Sequence, residues 1–143
     1  MTRVSELGPD ESGLAYRAMN ALRAAHDADS FVRHVNDVQR PEGYRLVAVL
    51  EGADVVAVAG FRTLHMLAYG RVLYVDDLST LPEGRRRGYG RRLLDWLDEE
   101  ARRLGCDELH LDSAVGDHRT DAHRLYFNCA MRINSFHFAR KVM

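Results

Sequence analysis

Apolar positions along the chain change their period several times, and each change marks an element. Leu14, Ala18, Ala21 and Leu22 recur at helical spacing behind the turn residues Gly8-Pro9-Asp10. That predicts a first helix after a short strand over residues 2–7. Phe31, Val35 and Val38 fall on one side of a second helix, with Ser30 as its cap and Arg40-Pro41-Glu42-Gly43 as its end. Tyr44 to Leu50 and Val55 to Phe61 are dense in β-branched residues, and the Glu51-Gly52-Ala53-Asp54 segment between them signals a hairpin. A third run, Val72 to Thr80, carries Asp76 and Asp77 through its middle. Adjacent acids in a strand are costly unless they face solvent, a substrate or a partner. Tyr89, Leu93, Leu97 and Ala101 step by four, and Asp95, Asp98, Glu99, Arg102 and Arg103 take the opposite side. A long helix from Gly88 to Leu104, stopped at Gly105, is predicted. Glu108 to Asp112 reads as a strand, Asp121 to Cys129 as a helix, and Ile133 to Val142 as a last strand or pair of strands.

The predicted order is therefore β, α, α, β, β, β, α, β, α, β. Hairpins mixed with crossover helices predict an α/β fold whose mixed sheet is covered on both faces. A length of 143 residues suits a single domain over 1–143, and 46% apolar content is enough to build its core. A formal net charge of −1 argues against a polyanion binder, so no nucleic-acid partner is expected. Cys106 and Cys129 are far apart without paired spacing and read as reduced thiols. No signal or transit segment and no run of 18 apolar residues is visible, so a cytoplasmic protein with no membrane partner is expected.

Positive charge is concentrated in one place. Arg85, Arg86, Arg87, Arg91 and Arg92 fall within eight residues, interleaved with Gly88, Tyr89 and Gly90. The stretch lies between the third apolar run and the long helix. The first N–H groups of a helix lack internal partners and the helix dipole favours an anion there. Glycines let a ligand approach the backbone, and guanidinium groups suit phosphate oxygens. The bland alternative is a solvated basic loop. The chain has no G-x-x-x-x-G-K-[ST] and no G-x-G-x-x-G after its first strand, so neither a P-loop nor a dinucleotide fold is supported.

Arg85, Gly88 and Gly90 spell R-x-x-G-x-G, which resembles the coenzyme A pyrophosphate turn of the GNAT N-acetyltransferase superfamily. The element order resembles that fold over nearly the whole chain. The resemblance implies a mostly antiparallel central sheet, splayed at a cofactor cleft, with acetyl-CoA as the acetyl donor. It assigns the diphosphate to Arg85, Arg86, Arg87, Gly88, Tyr89, Gly90 and Arg91, and the pantetheine amides to the backbone of Leu78, Ser79 and Thr80. Ala122-His123-Arg124-Leu125-Tyr126 is similar to the family's A-x-x-[LF]-Y helix. Tyr126 thereby becomes the candidate proton donor to the leaving thiolate; its other reading is a core tyrosine. That stretch, with Ser135-Phe136-His137-Phe138 and Tyr74-Val75-Asp76-Asp77-Leu78, resembles small bacterial members such as the aminoalkylphosphonate acetyltransferases. The chain departs from the pattern at Arg119, where Asn is common, and at Ala130-Met131, where Gly-Phe is common. Asn128 is then the residue available for the left-handed position.

Asp76 and Asp77 are candidates for accepting a proton from the acceptor amine or for binding it as a cation; the alternative is a structural carboxylate paired with arginine. Strand alternation predicts that only one of them faces a given pocket, and Asp76, which shares a face with Tyr74 and Leu78, is the favoured one. The seven histidines show no metal-binding spacing, so no metal is expected; His123, His137 and Arg119 could line an acceptor pocket. The reading is an N-acetyltransferase acting on a small-molecule or peptide amine, and the alternative is a non-catalytic module that binds coenzyme A or an acyl-CoA. The short segment after Asn128 is compatible with a homodimer whose partner chain completes the sheet edge.

Overall fold

The structure is a computed structural model that describes all 143 residues. The chain forms two compact units, Met1–Leu111 and Asp112–Met143.

The first unit is a five-stranded sheet in the order β1 (Thr2–Leu7), β2 (Arg45–Glu51), β3 (Asp54–Met66), β4 (Gly70–Thr80), β5 (Glu108–Leu111). Neighbours are antiparallel except β4 and β5, which are parallel. The parallel pair needs a crossover, and the long helix α3 (Tyr89–Arg103) supplies it. Helical turns between β1 and β2 include α1 (Tyr16–Asn20) and α2 (Ala28–His34). Their apolar side chains Ala18, Met19, Phe31 and Val35 pack with Leu46, Ala48, Leu50 and Val58 on one face of the sheet. Val47 and Val49 alternate to the other face, where Phe61 meets Trp96 of α3 edge-on at 5.7 Å.

Several local expectations shift. Asp27, not Ser30, caps α2; Ser30 sits at the third helical position and completes a capping box with it. Leu14 and Val38, assigned to apolar helix faces by their spacing, are 46% and 48% exposed. Leu14 lies in the 3₁₀ turn Pro9–Ala15 and Val38 in the π-turn Val35–Gln39, so the α-helical period does not carry through them.

Glu100 is the buried charge of α3. Its carboxylate accepts a two-point bond from Arg103 at 2.7 Å and another from Arg45 at 2.6 Å, while Arg45 also grips Glu6. Arg103 first and then Arg45 hold the Glu100 carboxyl down to about 2, against the opposing pull of burial. A depressed folded-state value means the stabilisation is complete above the ordinary 4.5 and disappears as pH falls toward about 2. Glu100→Gln is expected to cost about 2 kcal/mol at neutral pH and to flatten the loss of stability across that acid window. Urea denaturation at a series of pH values measures both.

The second unit carries α4 (Thr120–Asn128), entered through a 3₁₀ turn at Asp117–Arg119. Two reverse bonds close its end, Met131 N–H to the Tyr126 carbonyl and Ala130 N–H to the Phe127 carbonyl. Asn128 stays helical, and Ala130 takes the left-handed conformation at φ 62°. The closing pair of bonds needs that conformation two residues past the helix, whatever residue stands there. The predicted last strand does not form: residues 131–143 adopt neither helix nor strand. Ile133, Phe136, Phe138 and Val142 are 74%, 85%, 93% and 95% exposed. A strand exists only by pairing, and this unit contains no other strand to pair with.

Candidate functional site

A β-bulge determines where the two acids point. β3 and β4 pair Gly60 with Asp77 and then Phe61 with Val75, so Asp76 is an extra residue on β4. Alternation breaks there. Tyr74 lies opposite Arg62 and Leu78 opposite Ala59, which puts Tyr74 and Leu78 on different faces. Asp76 and Asp77 both turn toward the α1–α2 face, contrary to the one-per-face expectation. Asp76 is held by a two-point bond from Arg62 (3.1 Å from Nε, 2.8 Å from Nη2). Asp77 Oδ2 accepts from the Tyr44 hydroxyl at 2.8 Å, and Asp77 Oδ1 accepts from Arg23 Nε at 2.9 Å. The Arg62 guanidinium also lies 5.4 Å from the Tyr44 ring centre.

Tyr44 reaches Asp77 because Gly60 leaves it room. A Cβ at Gly60 would sit 1.7 Å from the Tyr44 hydroxyl oxygen. Burial first, and the Asp77 charge next, push the Tyr44 hydroxyl far above its ordinary range, so it remains a donor. Burial also pushes Asp76 up, with Arg62 pulling the other way. Tyr44, Arg62 and Arg23 were not identified from sequence. The one available signal was a glycine inside an apolar strand, which marks close approach of another group.

β4 pairs with β5 only from Val72 to Val75 and then runs on to Thr80. Over Asp76–Thr80 it keeps β3 on one side and has no strand on the other. β5 ends at Leu111, so this edge of β4 is left without a strand neighbour. Leu78, Ser79 and Thr80 line that stretch; the Ser79 hydroxyl donates to the Ala18 carbonyl at 2.7 Å and so ties α1 to the strand.

β4 leads through a 3₁₀ turn (Pro82–Gly84) into the basic segment. Arg85, Arg86, Arg87, Gly88 and Arg91 are exposed, while Tyr89 is buried, its hydroxyl 3.4 Å from Glu51. Gly88 begins α3 at φ 77°, and a side chain there would project into open space. Arg86 is also left-handed, at φ 64°, an uncommon state for a residue with a Cβ. The Arg92 N–H donates to the Gly88 carbonyl, whereas the N–H groups from Arg86 to Arg91 meet no protein carbonyl. Unpartnered amides, exposed guanidinium groups and a helix start coincide, which is the physical recipe for holding an anion.

In the second unit Tyr126 is buried, and burial raises its hydroxyl above the ordinary tyrosine range, with Arg119 opposing. It therefore keeps its proton at neutral pH. His123 Nε2 lies 3.0 Å from the Ala114 carbonyl and 3.1 Å from Ser113 Oγ. His137 is 3.8 Å from Asp112.

A mixed α/β sheet in which β4 runs on past the end of β5, followed by a basic turn with unpartnered amides at the start of α3, sets a free strand edge beside an anion site. The chain matches the Acetyltransferase (GNAT) family over residues 12–130. It is 31% identical over 134 residues to an uncharacterised N-acetyltransferase, YhdJ, of Bacillus subtilis, covering 93% of both chains. It is 27% identical over 112 residues to the aminoalkylphosphonate N-acetyltransferase of Salmonella typhimurium, covering 78% of this chain and 70% of that one. The aminoglycoside acetyltransferase AAC(6')-Iy, solved with a bisubstrate analogue, superposes with a TM-score of 0.85 at 14% identity over 100% of this chain and 99% of that one. The chain belongs to the GNAT acetyltransferase family and is an N-acetyltransferase. None of its helices is long and apolar enough to cross a membrane.

Proposed function

We propose that this N-acetyltransferase uses acetyl-CoA and acts on a primary amine of a small molecule or peptide. The observation that carries the reading is the run of unpartnered amides from Arg86 to Arg91, set among exposed arginines at the start of α3. Those amides, with Arg85, Arg86, Arg87 and Arg91, would hold the diphosphate. Leu78, Ser79 and Thr80, on the part of β4 with one free edge, would hold the pantetheine amides through their backbone. The cosubstrate supplies the acetyl thioester. Asp76 or Asp77 accepts the proton that the acceptor ammonium must lose before its nitrogen can attack. A nitrogen–carbon bond then forms as the carbon–sulfur bond breaks; the Tyr126 hydroxyl gives its proton to the departing sulfur, the new amide nitrogen sheds its second proton to water, and water returns a proton to the Tyr126 oxygen. That residues 12–130 match one family supports reading the whole chain as one domain.

Thiol release from acetyl-CoA tests this across polyamines, amino acids, aminoglycosides, N-terminal peptides and aminoalkylphosphonates, the last chosen for the Salmonella relative. Release with at least one amine is expected. Saturable acetyl-CoA binding with no release from any amine would instead make the chain a regulatory coenzyme A-binding module. Gly88→Val is expected to weaken acetyl-CoA binding roughly tenfold or more by calorimetry, since it strains a left-handed residue and fills the space over the amides. Equal affinity in that variant would remove the basic turn from the cofactor site.

A further inference from the structure

The ion pairs around the bulge leave one carboxylate dependent on a cation that solvent can reach. Asp76, Asp77 and Arg62 have side chains only 21%, 14% and 18% exposed. Arg62 answers Asp76 with both faces of its fork, and Glu42, 3.7 Å away, adds a further negative charge on its outer side. Asp77 has the neutral Tyr44 hydroxyl on one oxygen. Its remaining partner is Arg23, whose side chain is 57% exposed and which comes from the segment joining α1 to α2. Arg23 binds by Nε alone, with Nη2 at 3.4 Å from the Asp76 carbonyl, so the carboxylate is gripped at one point rather than two.

An exposed one-point ion pair is weak and exchanges readily. A half-buried carboxylate left without a cation is disfavoured. Together these conditions make Asp77 a site at which one cation replaces another. We propose that the ammonium group of the acceptor displaces Arg23 from Asp77 Oδ1, so that Arg23 is a built-in competitor that sets the affinity for cationic amines. The inference rests on the acetyltransferase reading and narrows its acceptor to amines that bind as ammonium ions. An anionic group would meet Asp76, Asp77 and Glu42 here.

The test is calorimetric titration of the full chain with 1,4-diaminobutane, comparing wild type, Arg23→Ala, Asp77→Asn and the double variant, each confirmed folded by its thermal midpoint. Arg23→Ala is expected to tighten diamine binding roughly fivefold, the size that a half-exposed ion pair supports. Asp77→Asn is expected to weaken it, and Arg23→Ala to add nothing in the Asp77→Asn background. Unchanged or weaker diamine binding in Arg23→Ala overturns the proposal, as does an equal gain with and without Asp77. Selective loss of an aminoalkylphosphonate in Arg23→Ala also overturns it, because Arg23 would then be gripping the acid group of the acceptor. Diamine binding does not depend on turnover. Failure of thiol release across all amines therefore counts against the acetyltransferase reading alone.

Discussion

Gly60→Ala is expected to destabilise the chain by about 3 kcal/mol and to expel Tyr44 from Asp77. The added methyl would sit 1.7 Å from the Tyr44 oxygen and 2.2 Å from the ring carbon bearing it, far inside contact distance. Neither side yields cheaply. Gly60 lies in the middle of β3, paired on both edges, and Tyr44 is 3% exposed in the α1–α2 core. The phenol must therefore swing away, breaking its bond to Asp77 and the ring contact that carries Arg62. Tyr44→Phe separates the two effects. It keeps the ring, removes the hydroxyl, and leaves Asp77 with Arg23 as its hydrogen-bond donor; about 1–2 kcal/mol is expected for that loss. If Asp77 serves the acceptor amine, both variants raise KM for the amine while acetyl-CoA affinity by calorimetry stays near wild type. Wild-type stability in Gly60→Ala would overturn the tight packing of Tyr44 against Gly60.

Much of this architecture was legible because it rests on period and punctuation. The four-residue step from Tyr89 to Ala101, with Gly105 beyond it, gives a helix over Tyr89–Arg103. The β-branched runs on either side of Gly52 give the β2–β3 hairpin. Those signals are local and survive into the fold, although 3₁₀ and π turns expose Leu14 and Val38 and the cap of α2 falls to Asp27. The larger failures depend on distant partners. The alternation rule put Asp76 and Asp77 on opposite faces because a single extra residue opposite Phe61 leaves no mark in β4's own sequence. The segment after Ala130 has strand-like composition, yet composition cannot supply the neighbour that a strand requires. Arg62 and Arg23 lie 14 and 54 residues from the acids they hold, and nothing in their own surroundings distinguishes them from the other arginines. The basic turn was legible because its parts are contiguous: strand end, glycines, arginines and helix start follow one another in the chain.

Tyr126→Phe is expected to lower kcat by about 100-fold while leaving the Kd for acetyl-CoA and the thermal midpoint nearly unchanged. The ring is buried, and phenylalanine preserves its packing, so a purely structural tyrosine would give a variant close to wild type in every respect. The hydroxyl is the only group removed. Burial holds its acidity below that of an ordinary tyrosine, so it stays protonated at neutral pH and has a proton to give when sulfur leaves with a negative charge. Arg119 beside it acts in the opposite sense and keeps the hydroxyl from becoming too weak an acid. Arg119→Ala should therefore raise the Tyr126 value further and slow turnover by less than Tyr126→Phe does; in the Tyr126→Phe background it should have little additional effect on kcat. Turnover at the wild-type rate in Tyr126→Phe would remove this hydroxyl from the reaction and leave the thiolate to take its proton from water.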